Sequence, residues 1–255
     1  MILLLLFAGL AGYFYAAVLW SVLALGALAA LLPHPSLPMP KNPFRNMRSS
    51  VLFSGLLGLL ALIAVAAAFA RLRIPVSTAD ELSYHLYLPK LFLMKHRIFY
   101  WPYHVNSAFP LGAEILHAYG VSLGNDFAAK SVHLLFGLLT SFSLYALAKG
   151  LPGFPALWPA LLWLTVPCVS HQMGLANNDL ALTAFLTGAY LALFRWRGSK
   201  KEEYRWLVVA GLLSGFAMGV KYLAVFAVAI QLLLISAWSL SSAEGTKRLP
   251  AVWLA

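Results

Sequence analysis

The sequence predicts an all-α fold, a polytopic bundle of transmembrane helices. Hydrophobic residues make up 62% of the 255 residues and charged residues only 10%, whereas about a quarter of a soluble domain is charged. The mean hydropathy is +0.81, so the chain is expected to use lipid as its solvent. The net charge of +10 comes largely from short loops between apolar runs, which indicates membrane orientation and no nucleic-acid partner.

The apolar runs predict the spans in chain order. Met1 to Leu32 carries no charge. At about 1.5 Å per residue it would extend over roughly 48 Å, more than the ~30 Å hydrocarbon core, so we expect one span that tilts or leaves its end at the interface. Further spans are predicted at residues 51–70, 127–148, 154–169 and 179–194.

The last long apolar stretch, residues 206–240, exceeds one span. Gly215, Gly219 and Lys221 are predicted to break it into two short helices. Gly211, Gly215 and Gly219 also form a small-residue stripe, which predicts close helix packing. Residues 249–255 look like the start of another span, so the chain is expected to be truncated at its C-terminus.

The charge of the short loops predicts the orientation. The loops at 33–50, 195–205 and 241–250 are basic and are expected in the cytoplasm. Alternation then places the long segment 71–125 outside, on the extracytoplasmic side of the plasma (inner) membrane. Two parts are predicted: residues 1–50, an extra N-terminal span with its basic loop, and residues 51–255, the main module.

The carboxylates are few and lie mostly on one side. Of the eight, Glu202, Glu203 and Glu244 fall in predicted cytoplasmic loops. A charge at membrane depth is costly and usually functional. The other five lie on the predicted outer side or at the outer end of a span: Asp80, Glu81, Glu114, Asp126 and Asp179.

Asp80 and Glu81 open the most informative stretch of the long segment. Ser77-x-x-Asp80 and Thr78-x-x-Glu81 match a capping-box pattern, so the two acids could simply begin a helix. The helix that follows, about 81–97, is predicted to be amphipathic and to lie in the membrane interface, with Pro89 bending it.

Asp179 and Lys221 each have two interpretations. Asn177, Asn178 or Asp179 could cap the fifth span, or Asp179 could belong to a site. Lys221 could snorkel to the interface, or its ammonium could contact an anionic head group.

Histidines do not predict a metal site. Four of them lie in the long segment, but none stands at a recognised ligand spacing from another, and HExxH is absent. A divalent metal ion held by carboxylates and a lipid phosphate is more plausible than a histidine site and is left open. The metal ligands are therefore left unknown, and no other cofactor is expected.

Four motifs, taken in order, resemble those of GT-C-type glycosyltransferases. They are Asp80-x-x-x-Tyr84-His85-Leu86-x-x-Pro89-Lys90, Phe109-Pro110-Leu111-Gly112-x-Glu114, Asn178-Asp179-Leu180-Ala181-Leu182, and the glycine-rich helix from Gly211 that ends in Lys221-Tyr222. The branch they resemble is that of the multi-spanning bacterial enzymes related to family 39 and the RgtA/B/C/D-like group. The similarity covers about Val51 to Trp238.

The resemblance implies a cell-envelope enzyme that takes a sugar from a polyprenyl-phosphate carrier in the bilayer. It passes the sugar to a glycan, lipid or protein acceptor of unknown identity on the outer face, usually with inversion. Asp80 and Asp179 match the family's acidic positions, and Glu81 is taken with them as catalytic. The predicted substrate-binding residues are Tyr84, His85, Lys90, Arg97, Glu114, Lys221 and Tyr222.

A direct displacement is consistent with this chemistry. Asp80 would be the general base that takes the proton of the acceptor hydroxyl. Lys90, Arg97, Lys221 or a bound metal would stabilise the leaving phosphate. A transporter or flippase for an anionic or lipid-linked substrate is the main alternative, although such proteins usually hold their charges near the bilayer centre. A non-enzymatic assembly subunit is a third interpretation.

Overall fold

The computed structural model describes residues 2–30, 48–151, 154–199 and 204–243. Most of the basic loop 33–50, the charged residues 200–203, and the predicted last loop and span beyond residue 243 lie outside the described residues. Within the described ranges the chain forms eleven α-helices and no strand. They are α1 Ile2–Leu10, α2 Ala16–Ala30, α3 Arg48–Arg71, α4 Tyr87–Lys95, α5 Gly112–Ser122, α6 Asp126–Ala148, α7 Leu157–Thr165, α8 Pro167–Gln172, α9 Asp179–Gly198, α10 Arg205–Val220 and α11 Ala224–Ala243.

The prediction of an all-α membrane protein is confirmed. Two stretches among the described residues are long and apolar enough to cross a bilayer, Val51–Arg71 within α3 and Asp126–Ala148, with mean hydropathies of 2.5 and 1.6. Large apolar side chains face outward, such as Leu52 at 82% exposure and Leu233 at 69%. An apolar outer surface of this kind is suited to lipid.

The packing of the helices determines which helix ends lie next to each other. α9 packs between α6 and α10, and α10 also contacts α5 and α11. Because α9 and α10 are consecutive and antiparallel, the first residue of α9, Asp179, lies beside Lys221, which follows α10. We call this end of the bundle the site end.

Helix α5 is the centre of the bundle and was not predicted as a helix. Residues Gly112 to Gly120 are all buried, and the helix contacts α1, α2, α4, α6 and α10. Its buried polar residues, Glu114 and His117, interrupt the apolar pattern that identifies helices in sequence. The long segment therefore folds into the core and is more than a surface loop.

The prediction of one continuous N-terminal span is wrong. The chain breaks between α1 and α2 at Gly12, whose φ of 86° is in the left-handed region that suits glycine. The break packs on the end of α4, where Phe14 N donates to His96 O at 2.8 Å and Ile98 N to Gly9 O at 2.8 Å. These tertiary hydrogen bonds stabilise the break between α1 and α2, and the local pattern of apolar residues does not predict them.

Two other predicted helices are interrupted. The fourth span is divided into α7 and α8 at Val166, because Pro167 disfavours helical backbone in the residue before it. The amphipathic helix predicted at 81–97 is a π-helical turn, Glu81–His85, followed by α4. Pro89 lies in the first turn of α4, where a missing N–H is tolerated. The predicted break of 206–240 at Lys221 is confirmed.

The glycine stripe of α10 does not pack closely along its length. A Cβ added to Gly211 or Gly215 would meet nothing within 4 Å, so the close packing predicted for them is wrong. The close approach of α10 is made by α5, where a Cβ on Gly112 would lie 2.7 Å from Gly219 O.

Gly120 is the tightest position between α5 and α6. A Cβ there would meet the backbone of Ala129, and backbone cannot move aside as a flexible side chain can. Gly120→Ala is expected to destabilise the protein by about 3 kcal/mol. Thermal unfolding in detergent measures this, with Gly55→Ala as control, because a Cβ on Gly55 meets nothing. Equal melting temperatures for the two variants would contradict the expectation.

Candidate active site

The turn that carries Asp80 and Glu81 is held by hydrogen bonds between Thr78 and Glu81. Thr78 Oγ1 donates to Glu81 Oε2 at 2.9 Å, and Glu81 N donates to Thr78 Oγ1 at 3.3 Å. The N-cap half of the Thr78-x-x-Glu81 pattern, Glu81 N to Thr78 Oγ1, is thus confirmed, whereas Asp80 makes no side-chain cap bond. Asp80 is exposed, so its carboxylate is available to a substrate.

Glu81 points away from the surface. It is fully buried, and Oε1 accepts a hydrogen bond from Ala176 N at 2.7 Å. The carboxylate therefore joins the turn to the loop that precedes α9. Glu81 is therefore adjacent to Asp80, the candidate base, in the sequence, but it is buried whereas Asp80 is exposed.

His85 and Glu114 form a buried pair under the site end. His85 Nδ1 lies 2.6 Å from Glu114 Oε1, and the two side chains are 2% and 0% exposed. Asn178 Nδ2 donates to the same oxygen at 3.4 Å, while Glu114 Oε2 has no hydrogen-bond partner. The pair links the π-helical turn, α5 and the start of α9.

Asp179 and Lys221 form an ion pair at the surface of the site end. Lys221 Nζ lies 2.5 Å from Asp179 Oδ1, and the side chains are 29% and 47% exposed respectively. Asn178 makes no side-chain cap bond, so the capping interpretation of Asn178 is wrong for the side chain. A half-exposed pair of this kind costs little to open when an anion competes for the lysine.

Tyr84 lies among the carboxylates. Its burial, followed by the nearby charges of Asp80, Glu114 and Asp179, raises the pKa of its phenol to about 12. The hydroxyl is therefore neutral near pH 7 and can donate a hydrogen bond. We call Asp80, Tyr84, Asp179 and Lys221 the site cluster, since these four side chains are the accessible part of this assembly.

Three other predicted site residues lie apart from these contacts. Lys90 is exposed and lines a different cleft together with Asp126. Arg97, at the end of α4, stacks over the ring of Phe99 at 5.2 Å. Tyr222 is 67% exposed and its hydroxyl donates to Ala108 O at 3.2 Å.

Two buried histidines near the candidate site were not singled out by sequence reasoning. His133 is buried in α6, and both of its ring nitrogens bond the segment that leads into α9. His117 is buried in α5, where burial and then the nearby His133 and His85 lower its pKa to about 3, so that it is neutral. A histidine within an apolar run was the available signal, because such a residue needs buried partners.

An apolar cavity of about 370 Å³ opens beside α10. Gly215, Phe216 and Gly219 form one wall, and Leu3, Leu6 and Leu10 of α1 contribute another. Phe109, which packs edge-on against Tyr84 at 6.4 Å, also lines it. Phe109 thus connects the lining of the cavity to Tyr84 of the site cluster.

No three His, Cys, Asp or Glu side chains in the described ranges are grouped so that they could hold a metal ion. A divalent ion that is also bound by a lipid phosphate stays a prediction.

An all-α bundle with a lipid-facing surface and a cluster of acids and a lysine at one end is consistent with the GT-C-type membrane glycosyltransferase that the sequence motifs resemble. The model of the family described as dolichyl-phosphate-mannose-protein mannosyltransferase matches residues 110–254, more than half of the chain, and the chain belongs to this family. Comparison with curated proteins and with solved structures gives no match. The family match includes Glu114, Asp179 and Lys221 but begins after Asp80.

Proposed function

We propose that the protein transfers a sugar from a polyprenyl-phosphate carrier to an acceptor hydroxyl at the extracytoplasmic face of the plasma membrane. The observation that carries the proposal is the Asp179–Lys221 pair at one end of a lipid-facing bundle, together with the exposed carboxylate of Asp80, whose charge, like that of Asp179, acts on Tyr84. The family supports a glycosyltransferase that uses such a carrier. The face, the base and the stereochemistry are the finer parts of the proposal.

The reaction is a single displacement at the anomeric carbon. The acceptor oxygen forms a bond to this carbon while its proton passes to Asp80, and the bond from the carbon to the phosphate oxygen breaks. The leaving phosphate keeps the electron pair, and the anomeric centre inverts. A positioned general base typically contributes a factor of about 10²–10⁴ to the rate.

Lys221 is the group that meets the leaving phosphate. The Lys221 side chain is 29% exposed and its ammonium holds Asp179 through one short contact, so the ammonium can exchange or share that partner. A cation at a developing phosphate charge stabilises the transition state more than the ground state. Asp179 holds the ammonium in place until the donor binds.

The apolar cavity beside α10 supports a place for the prenyl chain. Its lining is largely apolar, and Gly219 lies two residues before Lys221. A chain in this cavity would keep its phosphate at the site end and its tail in the bilayer. The proposal therefore assigns the glycine-lined face of α10 to the donor lipid.

A larger side chain in this cavity is expected to weaken donor binding. A Cβ on Gly215 meets nothing within 4 Å, so Gly215→Leu can fold while its side chain enters the cavity. The KM for the polyprenyl donor should rise about tenfold, because roughly 1.4 kcal/mol of apolar contact between the lipid and the cavity would be lost. Gly211→Leu is the matched control, because Gly211 is equally open on the same helix but does not line the cavity. An equal effect of both would argue against this location.

The direct test uses the full-length protein in proteoliposomes with a radiolabelled polyprenyl-phosphate mannose and a panel of acceptors that carry hydroxyl groups. We expect label in a covalent acceptor product and an equal amount of free polyprenyl phosphate. Movement of the label across the bilayer without any covalent product would favour a transporter and overturn the proposal.

A further inference from the structure

We propose that Glu81 and His133 are positioning residues that together hold the loop before α9, and through it set the place of Asp179 in the site. We call residues 173–178, the connection between α8 and α9, the α9 loop. The proposal rests on the proposed glycosyl transfer for its activity test, but the clamp itself can be measured without any sugar.

Glu81 holds the middle of the α9 loop from one side. Its Oε1 accepts from Ala176 N at 2.7 Å, and its Oε2 accepts from Thr78 Oγ1 at 2.9 Å. Ala176 and Glu81 are both 0% exposed. The two acceptor oxygens of one buried side chain therefore join the loop to the turn that carries Asp80.

His133 holds both ends of the α9 loop from α6. Its Nδ1 donates to Gln172 O at 2.8 Å and lies 3.1 Å from Leu175 O, while its Nε2 accepts from Leu180 N at 2.9 Å. Only the neutral ring protonated on Nδ1 satisfies all of these contacts. Leu180 lies in the first turn of α9, whose amides need an acceptor from outside the helix. His133 supplies the cap that Asn178 does not.

The clamp has a direct consequence for the site. The residue after the α9 loop is Asp179, which pairs with Lys221, and the last residue of the loop is Asn178, which contacts Glu114. Glu81 neighbours Asp80 in sequence, so one buried carboxylate sets the distance between the candidate base and the Asp179–Lys221 pair. A misplacement of about 1 Å in such a constellation can cost on the order of 10² in rate.

This role differs from the catalytic one predicted from the sequence. A catalytic carboxylate must reach the substrate, whereas Glu81 is fully buried and both of its oxygens accept bonds within the protein. Glutamine can keep both contacts, because its Oε1 still accepts from Ala176 N and its amide donates to Thr78 Oγ1. The positioning role needs an acceptor of this shape and does not need the charge.

The test compares Glu81→Gln with Glu81→Ala in the transfer assay. We expect Glu81→Gln to keep kcat within about threefold of the wild type and to leave its pH profile unchanged, while Glu81→Ala loses on the order of 10² in kcat. If Glu81→Gln is as inactive as Glu81→Ala, the charge is required and the positioning role is overturned. Full activity of Glu81→Ala overturns it as well.

Amide hydrogen exchange tests the clamp without activity. In the wild type, Ala176 and Leu180 should be protected. Glu81→Ala should raise the exchange rate of the Ala176 amide by about tenfold or more, and His133→Ala that of the Leu180 amide by a similar factor. This factor corresponds to the loss of one buried hydrogen bond. Unprotected amides in the wild type would overturn the clamp even where the variants do not fold. Protected amides with no sugar transfer by the wild type would instead count against the proposed function alone.

Discussion

Replacing Asp80 by Asn is expected to lower kcat for sugar transfer by about 10²–10⁴, because the amide cannot accept the proton of the acceptor hydroxyl. Asp80 is exposed and makes no side-chain cap bond, so the fold should be unaffected. Donor binding depends on other groups, and the KM for the polyprenyl donor should stay close to that of the wild type. Initial rates with a labelled donor measure both quantities.

The matched control for this substitution is Asp126→Asn. Asp126 is also an exposed carboxylate, and it lies in the first turn of α6, just after the long segment. Unlike Asp80, it is not among the charges that raise the pKa of Tyr84. It is expected to keep wild-type rates. Transfer by Asp80→Asn at the same rate as by Asp126→Asn would remove Asp80 from the mechanism.

Lys221→Met is expected to lower kcat/KM about 10- to 100-fold, since hydrogen bonds to charged groups contribute about 1.5–3 kcal/mol. The methionine keeps much of the length and volume of the side chain while it removes the ammonium that faces Asp179. Lys221→Arg should recover part of the activity, because a guanidinium also binds phosphate. Steady-state rates against donor concentration measure these effects.

Lys149→Met is the control for charge alone. Lys149 follows α6 at the helix end opposite Asp126, where its ammonium lies over the ring of Tyr145. This variant should transfer sugar as the wild type does. Wild-type kcat/KM in Lys221→Met would mean that another cation meets the leaving phosphate.

The spans were predictable where the chain is long and uniformly apolar. α3 and α6 begin and end within a few residues of the predicted bounds, because lipid selects for runs of this length. The break before α11 was also predictable, since Lys221 cannot lie in an apolar helix without a partner. The break between α1 and α2 was not, because it depends on hydrogen bonds from Phe14 and Ile98 that join distant parts of the chain.

The site was predictable as a set of residue types and less so as an arrangement. The scarcity of carboxylates identified Asp80 and Asp179, but the pairing of Asp179 with Lys221 required α9 and α10 to lie side by side. Burial separates the predicted residues into two layers: Asp80 is accessible, whereas Glu81 and Glu114 are enclosed. The sequence alone does not show which of two neighbouring residues is buried, because helix periodicity and tertiary packing determine the burial of each.

The central claim is that sugar leaves the polyprenyl phosphate in a single displacement assisted by Asp80. The configuration of the new glycosidic bond tests it most directly. The product formed from a donor of known anomeric configuration should be determined by the one-bond carbon–proton coupling at the anomeric carbon in NMR spectra. Inversion relative to the donor is predicted, and Asp80→Asn should form the same inverted product about 10²–10⁴-fold more slowly. A product that retains the donor's configuration would contradict the account.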